Sequence, residues 1–407
     1  MTQALNQASL NQENPPTFEQ SHTKLNPSNQ PEKVTELTHK ELKERILSQV
    51  GGDLADIEKA LHDNLTPHLD LVSDIAGHLL FSGGKRLRPL LMLLSSRLCN
   101  YQGDLAVKFS TIFEYLHAAT LLHDDVVDEA SMRRGKEAAH SRWSVPKVVL
   151  TGDFLLARSL SLAAETGIPA LISVMAGITE DMSQGEIDQM VQKGRVDLSE
   201  EEYLKIIKRK TAVLIQGACR SGAIIAHAGK EKEDALDLYG YHLGMAFQMA
   251  DDLLDYTGDA ASLGKKPGAD IREGKLTLPL IHALYAANSD DRAVMEHVIR
   301  NSVSCSSSDT GSVSDTDSGS GTGSGSNTDS GSNTDSGTIF NMTTDTGETD
   351  GFDLIIQKLK QYKGIEYTEL QAKNHVLKAK KSLDLFEPSK ARDVMMMLAD
   401  YSISRKV

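Results

Sequence analysis

Apolar residues recur at three- and four-residue intervals along most of the chain, as in DLADIEKALHDNLTPHLDLVSDIAGHLL (53–80) and FSTIFEYLHAATLLHDDVVD (109–128). That spacing lays one apolar stripe along each helix, because an α-helix turns once every 3.6 residues. Alternating strand-like runs joined by hairpin turns are hard to find. Helices with such stripes must bury them against one another, so the pattern predicts an all-α bundle. Breaks between helices are expected at Gly83-Gly84, Gly152, Gly167-Ile168-Pro169 and Gly264 to Gly268.

Two stretches cannot help build the core. Residues 1–33 are polar and punctuated by proline, which predicts a flexible tail; without an apolar stretch or any Arg, they do not read as a secretory or transit peptide. Residues 302–350 are almost wholly Ser, Thr, Gly, Asp and Asn and contain the near-repeat GSNTDSGSNTDSG, so a disordered acidic insertion is expected there. The helical domain would then run over 34–301 and resume at 351–407. With 40% hydrophobic residues in 407, the chain can still bury a sizeable core. A formal net charge of -14 argues against nucleic acid as the main partner, because a phosphate backbone demands a basic face. Cys99, Cys219 and Cys305 lie far apart without CxxC spacing, and no apolar run approaches the length of a membrane span. A cytoplasmic protein is the expectation.

Chemistry enters with two acidic clusters set in apolar helices. In LLHDDVVD, Asp124 and Asp128 lie one turn apart on one face, about 6 Å along the axis, flanked by Asp125. MAFQMADDLLD repeats the pattern with Asp251, Asp252 and Asp255, and Gln248 shares a face with Asp252. A single such cluster is most simply a solvated helix face. Two copies in helices this apolar are better explained as faces that hold a hard divalent cation, since magnesium is usually held by a few carboxylates together with substrate phosphates. Positive charge stands nearby in sequence: Lys85, Arg86 and Arg88 follow the Gly83-Gly84 break, and Arg133-Arg134 follows the first cluster. Guanidinium groups match phosphate oxygens in bidentate fashion. His117 lies two helical turns before Asp124 on the same face.

In that order, GGKRLRP, EYLHAATLLHDDVVDEASMRRG, GDFLLARS, KTA, GMAFQMADDLLDYTGD and GKKPGADIREGKLTLPLI closely resemble the polyprenyl synthetase family of trans-prenyltransferases. The resemblance covers everything except the two polar segments. It departs at His140, where a small or amide residue is usual, and in the long acidic insertion. It implies an isoprenoid-synthase-type bundle with a central cavity, acting as a homodimer, that adds isopentenyl diphosphate head to tail onto an allylic diphosphate.

The resemblance also assigns roles. Asp124 and Asp128, with Asp125 nearby, would hold Mg2+ at the allylic diphosphate, and Asp251, with Asp252 and Asp255 nearby, would hold a further ion. Arg133, Lys210 and Lys265 would bind the allylic diphosphate; Lys85, Arg88, His117 and Arg134 would bind that of isopentenyl diphosphate. Dipoles at Thr211 and Gln248 would steady an allylic cation. Chain length would be set upstream of Asp124 by Ala119, Thr120, Leu116 and Phe113. Synthases of short products often carry aromatic residues at the positions held here by Ala119 and Thr120, so a long product of seven to ten isoprene units, a quinone side-chain precursor, is expected. Three alternatives stand beside this reading: a farnesyl or geranylgeranyl diphosphate synthase, a terpene cyclase, and a non-catalytic synthase subunit. A cyclase would typically lack GGKRLRP, and a silent subunit would be expected to have lost Asp or Arg residues that are present here. Membrane contact is expected to be peripheral at most, for product release.

Overall fold

The computed structural model describes residues 38–67, 69–133, 135–258, 267–306 and 346–404. The tail expected over 1–33, most of the 302–350 insertion, Arg134 and Lys265 lie outside them. All described residues belong to one compact unit, Thr38–Val407.

Helix α1 (His39–Leu65) starts where Thr38 and Glu41 cap each other reciprocally, the Thr38 hydroxyl accepting from the Glu41 N–H and the Glu41 carboxylate accepting from the Thr38 N–H. Then come α2 (Asp70–Leu80), α3 (Leu87–Leu98) and α4 (Leu105–Val127), which carries the first acidic cluster. A minimal antiparallel hairpin pairs β1 (Met132–Arg133) with β2 (Lys136–Glu137). After the short α5 (Ala139–Arg142), α6 (Val145–Glu165) ends at Gly167, whose φ of 66° suits glycine, and Pro169 opens α7 (Pro169–Gln192).

Gly152 is not the break expected of it. It lies inside α6, and a Cβ there would stand 2.3 Å from Nε2 of His123, so its missing side chain serves packing against α4.

Helix α8 (Glu200–Ile207), capped by Ser199 and Glu202, runs into a π-helical turn, Lys208–Ala212, and on into α9 (Val213–Ile225). Helix α10 (Lys230–Thr257) carries the second acidic cluster. The chain continues through α11 (Ala269–Arg272), α12 (Leu278–Ala286), α13 (Ser289–Ser306), α14 (Thr346–Gln361), α15 (Gly364–Ser382) and α16 (Lys390–Ile403). Backbone helix thus extends a turn into each end of the 302–350 stretch.

One core is built from the stripes of α1, α3, α4, α6, α9 and α10, around Phe109, Phe113, Tyr115 and Tyr239. A second gathers Tyr203, Met249, Leu280, Met295, Ile355 and Leu359. Helix α10 belongs to both, packing on α9 on one side and α15 on the other, which fixes the acidic face at its C-terminal end.

Where α10 meets α15, the Nδ1 atoms of His242 and His375 approach to 3.0 Å. Burial, then the neighbouring imidazole and Lys378, push His375 down to about 4, and burial also lowers His242. A histidine with a depressed folded pKa contributes its full stability above the unfolded value of 6.5 and loses it as the pH falls toward about 4. The unfolding free energy from urea titration is therefore expected to drop across that window, by roughly 1–2 kcal/mol after allowance for solvent screening at a partly exposed ring. His375→Gln should flatten this limb; an equally steep decline in the variant would place its origin elsewhere.

Candidate active site

The first cluster divides its carboxylates between two tasks. Asp125, one residue and about 100° around the helix from Asp124, turns inward, is only 1% exposed, and accepts from Nε of Arg133 at 2.7 Å and from its Nη2. The hairpin holds Arg133 there, so in this structure the arginine expected at the allylic diphosphate is anchored by Asp125. Asp124 and Asp128 stay on the other face. Burial pushes the Asp124 carboxyl up to about 6; Lys210 opposes this, while Glu186 and Asp128 add to it. Asp128 receives Nζ of Lys275 at 3.3 Å.

The second cluster divides the same way. Asp251 is exposed, whereas Asp252 and Asp255 are buried. Asp255 accepts from the N–H groups of Ala269 at 3.2 Å and Asp270 at 2.9 Å, fastening the start of α11 to α10. Asp252 accepts from the hydroxyl of Tyr203 at 2.6 Å and from Nε2 of Gln248 at 2.7 Å, and burial raises its carboxyl to about 6. Gln248 in turn accepts from the Thr211 hydroxyl at 2.8 Å.

Thr211 and Lys210 sit on the π-helical turn, a widened backbone often found at functional sites. Its neighbours make room. A Cβ at Gly185 of α7 would stand 2.8 Å from the Lys210 nitrogen, and one at Gly244 of α10 would stand 2.5 Å from Cα of Ala212. Lys210 reaches Glu186 at 2.5 Å.

Lys210, Thr211, Gln248, Asp252, Asp270 and Lys275 line a cleft of about 160 Å3, whose apolar wall includes Leu198, Ile206 and Ile207. A lysine faces each outward carboxylate of the first cluster, Lys210 toward Asp124 and Lys275 toward Asp128. Burial alone would lower the Lys275 ammonium, but Glu273 and Asp128 outweigh it and raise it above the ordinary lysine value.

The donor set fits a hard cation. Asp124 and Asp128 offer carboxylate oxygens one turn apart on one face of α4, the kind of donor a hard divalent cation takes alongside substrate phosphates. Burial is the main reason the Asp124 carboxyl is raised, and a bound cation would offset that cost of holding it ionised.

Sequence reasoning missed Lys275, Glu186 and Tyr203. Lys275 stands in the GKKPGADIREGKLTLPLI stretch and was within reach; Glu186 is brought in only by the packing of α7. Of the remaining expected residues, Lys85 on the α2–α3 connection stands over the Tyr401 ring at 5.2 Å, while Arg88 lies on α3 and His117 on α4, and none of the three is among the described residues lining this cleft. Ala119, Leu116 and Phe113 lie in the first core, Phe113 edge-on to Phe109 at 5.9 Å, and Thr120 is partly exposed. These four are not among the described residues lining the cleft.

Residues 69–312 match the model of the polyprenyl synthetase family. The chain belongs to that family. Its relatives include an octaprenyl diphosphate synthase of Haemophilus influenzae, 29% identical over 89% of this chain and 97% of the relative, and one of Escherichia coli, 36% identical over 63% and 79%. Among solved structures, a polyprenyl synthase from Caulobacter crescentus, complexed with calcium and isoprenyl diphosphate, superposes with a TM-score of 0.74 at 32% identity, covering 89% of this chain and 98% of that one. A decaprenyl diphosphate synthase from Rhodobacter capsulatus gives 0.73 with the same identity and coverage. As a member of this family the chain is a prenyltransferase with an all-α isoprenoid-synthase fold.

Proposed function

We propose that this polyprenyl synthetase is a long-chain all-trans-polyprenyl diphosphate synthase, extending an allylic diphosphate with isopentenyl diphosphate to seven to ten units. The observation that carries the reading is the cleft itself, where Asp252, Asp270, Lys210 and Lys275 border an apolar wall and the two lysines face Asp124 and Asp128 of the first cluster. Octaprenyl, nonaprenyl and decaprenyl synthases among the relatives support the chain length.

Asp124, Asp128 and Asp251 would hold Mg2+, which when bound neutralises charge developing on the leaving diphosphate. Lys210, Lys275 and Arg133 add fixed positive charge around that group and favour ionisation of the allylic carbon–oxygen bond. Lys85, Arg88 and His117 orient isopentenyl diphosphate so that its double bond attacks the cation, and a proton then leaves to the departing diphosphate. Thr211 and Gln248 offer dipoles but no strong nucleophile. The apolar wall excludes water, which would quench the cation to an alcohol.

A homodimer working in the cytoplasm, with peripheral membrane contact for product release, completes the proposal. Among the described residues no helix is long and apolar enough to cross a membrane. A second reading comes from a relative named heptaprenyl diphosphate synthase component 2, of Geobacillus stearothermophilus, 39% identical over 61% of this chain. On that reading the chain needs a partner component. Incubating the purified chain alone with farnesyl and isopentenyl diphosphates and Mg2+ separates the two: polyprenyl products support the first, and their absence favours the second.

Product length gives a further test. The tail must grow away from the carboxylates past Ala119, which is buried one turn before His123 on α4, so it advances by parting side chains of the first core. An aromatic ring at Ala119 fills the first turn of that path. Ala119→Phe is expected to shorten the product to roughly three or four units. Unchanged product chromatography in this variant would show that the chain runs elsewhere.

A further inference from the structure

Tyr203 lies seven residues before Lys210 on α8 and reaches Asp252 on α10, so one hydrogen bond joins the element leading into the π-helical turn to the second acidic cluster. Both side chains are nearly inaccessible, at 3% and 5% exposed. From there an unbroken series runs through Gln248 to Thr211, with distances of 2.6, 2.7 and 2.8 Å.

The chemistry of the groups gives this series a direction. An ionised carboxylate only accepts, so Asp252 must take the Tyr203 hydroxyl proton on one oxygen and the Gln248 amide N–H on the other. That orients Gln248, leaving its carbonyl oxygen toward Thr211. The Thr211 hydroxyl must then donate to Gln248, and its lone pairs are left for the cleft that Thr211 lines. Without Tyr203 the carboxylate could rotate, and the amide could turn over and present N–H to Thr211.

We propose that Tyr203 is a positioning residue for the condensation: acting through Asp252 and Gln248, it fixes the Thr211 hydroxyl with its electron-rich side toward the allylic cation. This rests on the prenyltransferase reading of the cleft. Tyr203 borders the cleft, but its hydroxyl is given to Asp252, and through that bond it sets the sign of the Thr211 dipole.

The test is a double-mutant cycle on the purified full chain, with farnesyl diphosphate as primer, isopentenyl diphosphate varied and Mg2+ present. Tyr203→Phe is expected to lower kcat by roughly 10- to 100-fold, the range seen when an outer hydrogen-bond partner is removed, with both KM values within about threefold of wild type. Gln248→Met should have a comparable effect, and the double variant should be no worse than Gln248→Met alone, because the series acts as one unit. Multiplying effects, a kcat within twofold of wild type for Tyr203→Phe, or a KM rise accounting for the whole loss, would overturn the proposal. Removing a buried donor could lower the melting point, so thermal melts accompany the cycle and, where needed, it is run at 15 °C. Failure of wild type to make polyprenyl product would remove the underlying reading, whereas active wild type beside an unimpaired Tyr203→Phe would remove this inference alone.

Discussion

Asp124→Asn is expected to cut turnover by roughly a hundred- to a thousandfold and, at the same time, to raise the melting temperature of the metal-free protein at pH 8. Both effects come from one arrangement. Burial, with Glu186 and Asp128 adding, raises this carboxyl from 3.8 to about 6 even though Lys210 opposes the shift. A carboxyl whose folded pKa is raised weakens the native state above that pKa and has no such effect below its unfolded value. The gain should therefore be present at pH 8, of order 1–3 kcal/mol, and vanish near pH 4. Lost activity without increased stability would mean that Asp124 is better compensated than its surroundings indicate. Near-normal Mg2+-dependent activity would remove it from the proposed metal-binding set.

The division of labour within each acidic cluster was partly open to sequence reasoning. Residues four apart share a helix face and the next residue does not, so Asp125 could be expected to leave the face of Asp124 and Asp128. Its partner could not, because the hairpin that brings Arg133 back is only four residues of strand. Asp255 reads as a third member of its motif, yet its carboxylate holds the backbone of α11, an arrangement that exists only after the chain has folded back. Gly152 misled for a related reason. Glycine disfavours helix locally, but close contact with His123 outweighs that preference. The helices themselves were plain because long periodic segments report their own burial. Of the facing lysines, Lys210 was named through the KTA motif, whereas Lys275 was not, and the carboxylate each one faces is fixed only once the chain has folded.

Arg86→Met should be the most damaging single change to stability away from the cleft. In the sequence this residue is one of three cations in GGKRLRP, to all appearances equivalent. In the fold it is 3% exposed, adopts a left-handed φ of 46° before α3, and donates to three elements at once. Its Nε reaches Glu58 of α1 at 2.6 Å, Nη1 reaches Glu114 of α4 at 2.9 Å, and Nη2 reaches the Leu80 carbonyl at the end of α2 at 2.5 Å. Methionine keeps much of the volume but strands Glu114, which is 5% exposed, and leaves that carbonyl unmet. Breaking one side of a buried ion pair costs about 3–5 kcal/mol, whereas replacing both sides with apolar groups is often nearly neutral. Arg86→Met is thus expected to lower the melting temperature by roughly 6–15 °C, and Arg86→Met combined with Glu114→Leu should recover most of the loss. Because Lys85 and Arg88 flank Arg86, the single variant should also raise KM for isopentenyl diphosphate more than KM for the allylic primer. A melting point within 2 °C of wild type, or a double variant worse than the single, would show that the guanidinium does not hold these four helices together.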